Sequence, residues 1–345
     1  MRISKIILVI FLLAIAYIYY IQSPTTREND IVEFSVARGQ AYSTIAPILK
    51  EEKVIKSEII FKAYVRLYNP KPLQACTYQI DRSWKIYDIV EELEKGCNFS
   101  DETISVTIPE GRTLLQTAEI ISNKINSTKE EIIEVWTSDT FLDEVIEKYD
   151  YISDDIKNPR IKYPLEGYLF PSTYELLNED VTPKYVAFKM LDQMKLVYDK
   201  NKDLIEETDF SFHEVLTFAS IVEYEGILDE DRPIIAGVFY NRLEKNWRLE
   251  SCATLGYAID NWKSQYTFDD MAVDHPYNTY LYGGLPPGPG GSPSEKSIEA
   301  VLKPTETNYM FFLANVCDST DNKTYFSETL AEHNAKGRQF NFRCN

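Results

Sequence analysis

The sequence predicts an α+β protein in three parts: an N-terminal transmembrane helix, a small α+β module and a larger mixed α+β domain. Three observations carry this prediction. An unbroken apolar run, Ile6 to Ile21, follows a basic start with Arg2 and Lys5. From Val32 to about Phe99, stretches of period two alternate with stretches of helical period. Beyond residue 101, longer helical patterns alternate with short strand patterns and one loop rich in Gly and Pro. The boundaries read as 1–22 for the anchor, 23–31 for a polar linker, 32–100 for the module and 101–345 for the last domain.

Composition limits the function. With 345 residues there is room for two or three domains, and 44% hydrophobic residues can fill their cores. The formal net charge of −18 argues against a nucleic-acid partner, which needs a basic face. The chain carries 24 Tyr against 17 Phe. Tyr suits stacking on sugars, and equally suits a core with a bonded hydroxyl. Cys76, Cys97, Cys252, Cys317 and Cys344 show no C-x-x-C spacing, and His213, His275 and His333 are scattered. Neither a metal nor a cofactor is expected. Cys76 with Cys97 and Cys317 with Cys344 could pair in an oxidising compartment, but spacing does not fix connectivity.

The anchor comes first in chain order. Sixteen helical residues span roughly 24 Å, a little short of the usual ~20 residues. Tyr17, Tyr19 and Tyr20 stand at the outer end like an interfacial belt, and the basic start puts the N-terminus inside. The rival is a cleaved signal peptide, since Ala14-Ile15-Ala16 resembles a cleavage site. In the module, a strand from Val32 turns at Gly39. A helix follows over 41–55 with Ile45, Ile48 and Leu49 inward, then a strand near 73–81 and a helix from Ser83 to Gly96.

Residues 102–111 give a further strand and turn, and Ser127 with Glu130 forms a capping box. Residues 163–175, YPLEGYLFPSTYE, break the helical period. Pro164 and Pro171 bracket Glu166 and several aromatics, which fits either a cleft wall or a plain connector. A helix over 181–199 leads to the central one, SFHEVLTFASIVEYEG, capped by Ser211 with Glu214 and stopped at Gly226, a residue that can turn left-handed.

Asp231, Arg232 and Pro233 open the next helix, and Ile235, Val238 and Phe239 face inward. Six Gly and Pro residues then lie between Gly283 and Pro289, two more Gly follow, and Ser292 with Glu295 reads as a capping box. Such a loop lets backbone approach a ligand closely. Residues 308–316 read as a buried strand, and 323–337 as a strand leading into a helix.

No G-x-S-x-G, P-loop, H-E-x-x-H or G-x-G-x-x-G occurs, so the remaining chemistry is that of carboxylates. Helical spacing brings Glu223 onto the apolar stripe of Leu216 and Ala219, near the negative end of the helix dipole. Burial, the dipole and a nearby Glu225 would each favour a retained proton, as a general acid needs. The alternative is a helix-end carboxylate turned to solvent.

EGYLFPSTYE, ASIVEYE, FYNRL, YNTY, GLPPGP and FSETLAEHN occur here in one order. Together, from about Phe34 to Asn334, they resemble the endolytic murein transglycosylase family, also called YceG-like. The resemblance implies a membrane anchor, a LysM-like module over 32–100 and a YceG-like catalytic domain over 101–345. The enzyme would be a lytic transglycosylase that cuts the β-1,4 bond between N-acetylmuramic acid and N-acetylglucosamine and leaves a 1,6-anhydro end.

Glu223 matches the catalytic glutamate by position. Glu166, Glu225, Asn241, Thr254, Tyr277 and Asn278 become candidate substrate-binding residues. Partners would be peptidoglycan strands, the membrane and the synthases that polymerise the strands. The catalytic domain would lie outside the plasma membrane. Two segments depart from the family pattern. Cys252-Ala253 replaces an Asp-Pro pair, and Gly290 to Ser294 replaces Ile-x-Asn-Pro-Gly. A non-catalytic wall-binding protein and a muramidase-type hydrolase are the rivals.

Overall fold

The computed structural model describes residues 23–26, 30–36, 40–73, 77–96, 104–176, 179, 181–263, 265–314 and 323–339. The apolar run read as an anchor, and Cys76, Cys97, Cys317 and Cys344, lie outside the described residues. Among those described, no helix is long and apolar enough to cross a membrane. The chain divides into two compact units, Met1–Glu102 and Thr103–Asn345.

In the first unit, strand β1 (Ile31–Ser35) runs antiparallel to β2 (Thr77–Asp81), with Val32 opposite Ile80 and Phe34 opposite Tyr78. Period-two alternation puts these four side chains on one buried face. Helices α1 (Tyr42–Glu51), α2 (Glu58–Tyr68) and α3 (Ile86–Lys95) cover it with Ile45, Leu49, Phe61, Ile89 and Leu93. Helix α1 stops short of the expected Ile55. Lys53 adopts a φ of +54°, and the N–H groups of Val54 and Ile55 turn back to the Leu49 carbonyl at 2.8 and 3.1 Å. Helix α3 starts at Ile86 rather than near Ser83, because the Asp81 carboxylate accepts from the Ser83 N–H at 2.8 Å and holds that residue in a turn.

In the second unit, β3 (Ile104–Thr107) pairs antiparallel with β4 (Thr173–Leu176), Val106 opposite Tyr174. The end of the segment 163–175 is thus a strand. Helices α4 (Leu114–Ser122), α5 (Lys129–Thr137), α6 (Asp139–Lys148) and the long α7 (Pro183–Glu206) build one side of the core. The cap of α5 is Thr128 with Glu131, one residue later than expected. Helix α8 (Phe212–Glu225) runs through the middle. Every side chain from Val215 to Val222 is buried, as expected of a helix apolar on all sides.

Around α8 pack α9 (Arg232–Glu244), α10 (Cys252–Ala258) and α12 (Glu295–Leu302); α11 (Phe268–Met271) is a single turn between them in sequence. An antiparallel pair, β5 (Phe311–Ala314) and β6 (Thr324–Ser327), carries α13 (Leu330–Gln339).

Ser211 caps α8 as expected. Its Oγ accepts from the Glu214 N–H at 3.3 Å, and Glu214 accepts from the Ser211 N–H at 2.8 Å. Gly226 ends the helix for a different reason from the one expected. Its φ is −88°, outside the left-handed region, but a Cβ there would lie 2.6 Å from Arg232 Cγ and 3.0 Å from the Val222 carbonyl oxygen. Glycine is needed at this position so that Arg232 can pass.

Candidate active site

Helix α8 ends with two carboxylates in contrasting surroundings. Glu223 faces Arg232, which donates from Nη2 to Oε1 at 3.0 Å and from Nη1 to Oε2 at 3.3 Å. The Ser294 N–H and the Ser297 hydroxyl each donate to Oε2 at 2.8 Å. The pair is nearly enclosed, with side chains 8% and 11% exposed. A two-pronged guanidinium and two further donors engage both oxygens of Glu223. Glu223 therefore ties α8 to the starts of α9 and α12. The cap of α12 is Ser294, two residues beyond the expected Ser292, and this places its N–H on Glu223.

Glu225 has no such partner. The Ser251 hydroxyl donates to its Oε1 at 2.7 Å. Burial raises its affinity for a proton, against the opposing pull of Ser251, the Ala253 N–H and Arg242. Ser251 caps α10, so Glu225 sits over the first turn of that helix. The Arg242 guanidinium is committed elsewhere, donating to the carbonyls of Met310 at 2.9 Å and Leu249 at 2.5 Å. Burial thus favours the protonated form at Glu225.

Between the carboxylates, Tyr224 turns outward, 40% exposed, and stacks on Trp262 with centroids 4.1 Å apart and planes 7° from parallel. The pair borders a narrow slot lined also by Ser220, Thr254, Tyr277 and Gly290. The Gly/Pro loop closes one side of this slot and is held through its backbone. The Pro287 carbonyl accepts from His213 Nε2 at 2.9 Å, which leaves Nδ1 to accept from the Tyr168 hydroxyl at 2.9 Å. The Gly290 N–H donates to Ser220 Oγ at 3.1 Å. Ser292 exchanges two bonds with the turn after β3, to the Gly111 N–H at 2.8 Å and the Arg112 carbonyl at 2.9 Å. Gly167, at a φ of +79°, has no Cβ because Pro289 would lie 2.5 Å from it.

The remaining expected residues divide. Thr254 and Tyr277 line the slot, and the Thr254 hydroxyl bonds Thr279 at 2.7 Å. Glu166 is only 1% exposed. It accepts from the Leu114 N–H at 2.7 Å and the Tyr257 hydroxyl at 3.0 Å, and burial pushes its pKa up to about 8. It braces the start of α4 against α10 and presents no open face to a ligand. Asn241 uses both amide hydrogens on the carbonyls of Thr307 and Tyr309, at 2.8 and 2.9 Å. Asn278 is fully buried and holds the carbonyls of Met271 and Val273. Both are fasteners of local backbone, not open amide donors.

Sequence reasoning missed Trp262, whose partner is distant in the chain, and Arg232 as the mate of Glu223. The second was within reach, since a cation opening the helix after a carboxylate-ended one is a natural partner. No cluster of three metal-ligating side chains occurs among the described residues.

An α+β domain whose central buried helix ends in two carboxylates, beside a stacked aromatic pair and a slot walled by a pinned Gly/Pro loop, defines a candidate acid–base enzyme. The chain belongs to the YceG-like family, whose model matches residues 34–339. It is 34% identical over 304 residues to an endolytic murein transglycosylase of Bacillus subtilis strain 168, covering 88% of this chain and 83% of that one. A protein of the same description from Streptococcus pneumoniae R6 is 32% identical over 321 residues; the match covers 88% of this chain and 57% of the pneumococcal one. A 2.6 Å crystal structure of a yceG-like protein from Listeria monocytogenes is similar at a TM-score of 0.64 and 35% identity, covering 90% of this chain and 100% of that one.

Proposed function

We propose that this chain is an endolytic lytic transglycosylase of murein with Glu225 as its acid. The observation that carries the reading is the contrast at the end of α8. Glu223 is satisfied by Arg232, Ser294 and Ser297, whereas Glu225 meets only the Ser251 hydroxyl and the Ala253 N–H, and burial raises its affinity for a proton. Family membership and the relatives' activity supply the reaction class.

In this mechanism the Glu225 carboxyl gives its proton to the glycosidic oxygen as the C1–O bond of the muramyl residue breaks. The leaving sugar departs with a free 4-hydroxyl. The Glu225 carboxylate then removes the proton from the muramyl C6 hydroxyl, whose oxygen closes on C1. One residue serves as acid and then base, and no water is consumed. Tyr224 and Trp262 offer a flat apolar face for a sugar ring. Residues 1–22 serve as a single-pass anchor that puts the remainder outside the plasma membrane. Residues 32–100 serve as a LysM-like strand-binding module. Strand-polymerising synthases are the natural neighbours, since the product limits strand length.

The test is product mass on purified glycan strands with the full chain. Wild type gives 1,6-anhydro ends and Glu225→Gln gives none. Glu223→Gln still cuts when assayed cold, but is destabilised by roughly 3 kcal/mol, because Arg232 loses its enclosed carboxylate and keeps only the Ser294 hydroxyl and the half-exposed Asp229. Reducing ends, one water heavier, would reassign the protein to the hydrolases. Full cutting by Glu225→Gln would remove that residue from the mechanism.

A further inference from the structure

The turn joining β3 to α4, Glu110-Gly111-Arg112, leans over the same site. Its backbone is bonded to Ser292 in both directions. A Cβ on Gly111 would lie 3.9 Å from both Glu223 Cγ and the Tyr224 ring. The turn is therefore fixed at the rim, directly above the residue that stacks on Trp262. Arg112 follows at its tip with an exposed side chain. It is close enough to Tyr224 for its charge to oppose the upward push that burial gives that phenol. Its backbone carbonyl is engaged, but among the described residues no carboxylate pairs with its guanidinium.

The chain carries 54 acidic residues against 36 basic ones. Three other cations of this unit are taken. Arg232 holds Glu223, Lys162 holds Asp260 and Lys263 holds Asp270. An acidic protein repels an anionic polymer, so an unspent guanidinium fixed at the rim is where such a polymer would find attraction. Guanidinium is also the side chain best shaped to take a carboxylate through two parallel bonds.

We propose that Arg112 is a specificity-determining residue that binds a carboxylate carried by the muramyl substituent while the sugar lies along Tyr224 and Trp262. The inference rests on the reading of the site as one for murein strands. The carboxylate has two sources: the free lactyl group of a strand without peptides, or an acidic residue of the attached peptide. Arg112 lies beside the reacting bond and not on it, so it selects and positions the substrate.

The experiment is equilibrium binding by the full chain carrying Glu225→Gln, so that ligand is not consumed, with and without Arg112→Ala or Arg112→Lys. Three probes of matched length are used: peptide-bearing murein strands, strands stripped of peptide by an amidase, and neutral chitin oligosaccharides. Arg112→Ala is expected to weaken binding of a carboxylate-bearing probe about tenfold, the size of a charge-assisted bond. Chitin binding stays unchanged, Arg112→Lys recovers part of the loss, and added salt narrows the difference between Arg112 and Ala.

Loss on the peptide-bearing strands alone assigns the peptide, loss on the stripped strands alone assigns the lactyl group, and loss on both assigns a site that accepts either. An equal loss on chitin, no loss on any probe, or no strand binding with Arg112 intact would overturn the proposal. The transglycosylase reading fails separately, through the product masses of the unmutated enzyme.

Discussion

Burial raises the proton affinity of both Glu166 and Glu225, but their surroundings differ. Glu166 is sealed between Leu114 and Tyr257, and its effect is on stability. Its pKa in the fold, about 8, lies above the ordinary 4.5. The stabilisation that its protonated form gives is fully present below the unfolded value and is lost as pH rises through the folded one. Gln at this position keeps the shape and has no proton to lose. Urea unfolding across that window should therefore show wild type losing stability relative to Glu166→Gln as pH rises from about 4.5 to about 8. A constant difference between the two proteins would contradict the burial argument.

At this scale the sequence was informative about which residues matter and poor on what each does. ASIVEYE holds two glutamates, and helical spacing favours Glu223 because it lies in line with Leu216 and Ala219. What separates them is the company they keep: Arg232, nine positions on, and Ser251, twenty-six positions on. Those partners come from helix packing, which spacing along one helix does not encode. The amides of Asn241 and Asn278 were open to the same error. A polar side chain in a motif looks alike whether it faces a ligand or a carbonyl of its own loop.

Helix ends are where local chemistry and packing meet most visibly. Ser211 with Glu214 caps α8 as read, because both partners lie within four residues. The caps of α5 and α12 fall one and two residues beyond the expected serines. At each site a neighbouring Thr or Ser competes for the same role, and in α12 the choice of Ser294 brings its N–H to Glu223. Gly226 shows the same effect at the other end of α8. Gly226→Ala should cost about 1–3 kcal/mol, because the new Cβ meets an Arg232 that is already pinned by Glu223. A thermal midpoint equal to wild type would mean that Arg232 moves freely, which would also weaken the case for Glu223 as a fastener.

Over the whole chain, the alternation of strand and helix patterns was enough to read an α+β fold. The pairing of β3 with β4 was harder to read, since more than sixty residues separate Thr107 from Thr173 and no turn signal joins them. Each of the two units has its own apolar core, one around Ile45, Phe61 and Leu93 and the other around Phe218, Phe239 and Trp136. A fragment beginning at Thr103 should therefore fold without the first hundred residues. Cooperative urea unfolding and a native-like near-ultraviolet spectrum would verify this, and a non-cooperative transition would refute it. Within that unit, the Gly/Pro loop is fastened at Pro287, Gly290 and Ser292 by main-chain atoms, and at Ser294 by both its N–H and its hydroxyl. Main-chain atoms are inherited unchanged through most exchanges of side chain, so Pro287 and Ser292 can be rewritten without unhooking the loop from the site it encloses, whereas Gly291 cannot gain a side chain without meeting the Gly111 carbonyl oxygen at 3.0 Å.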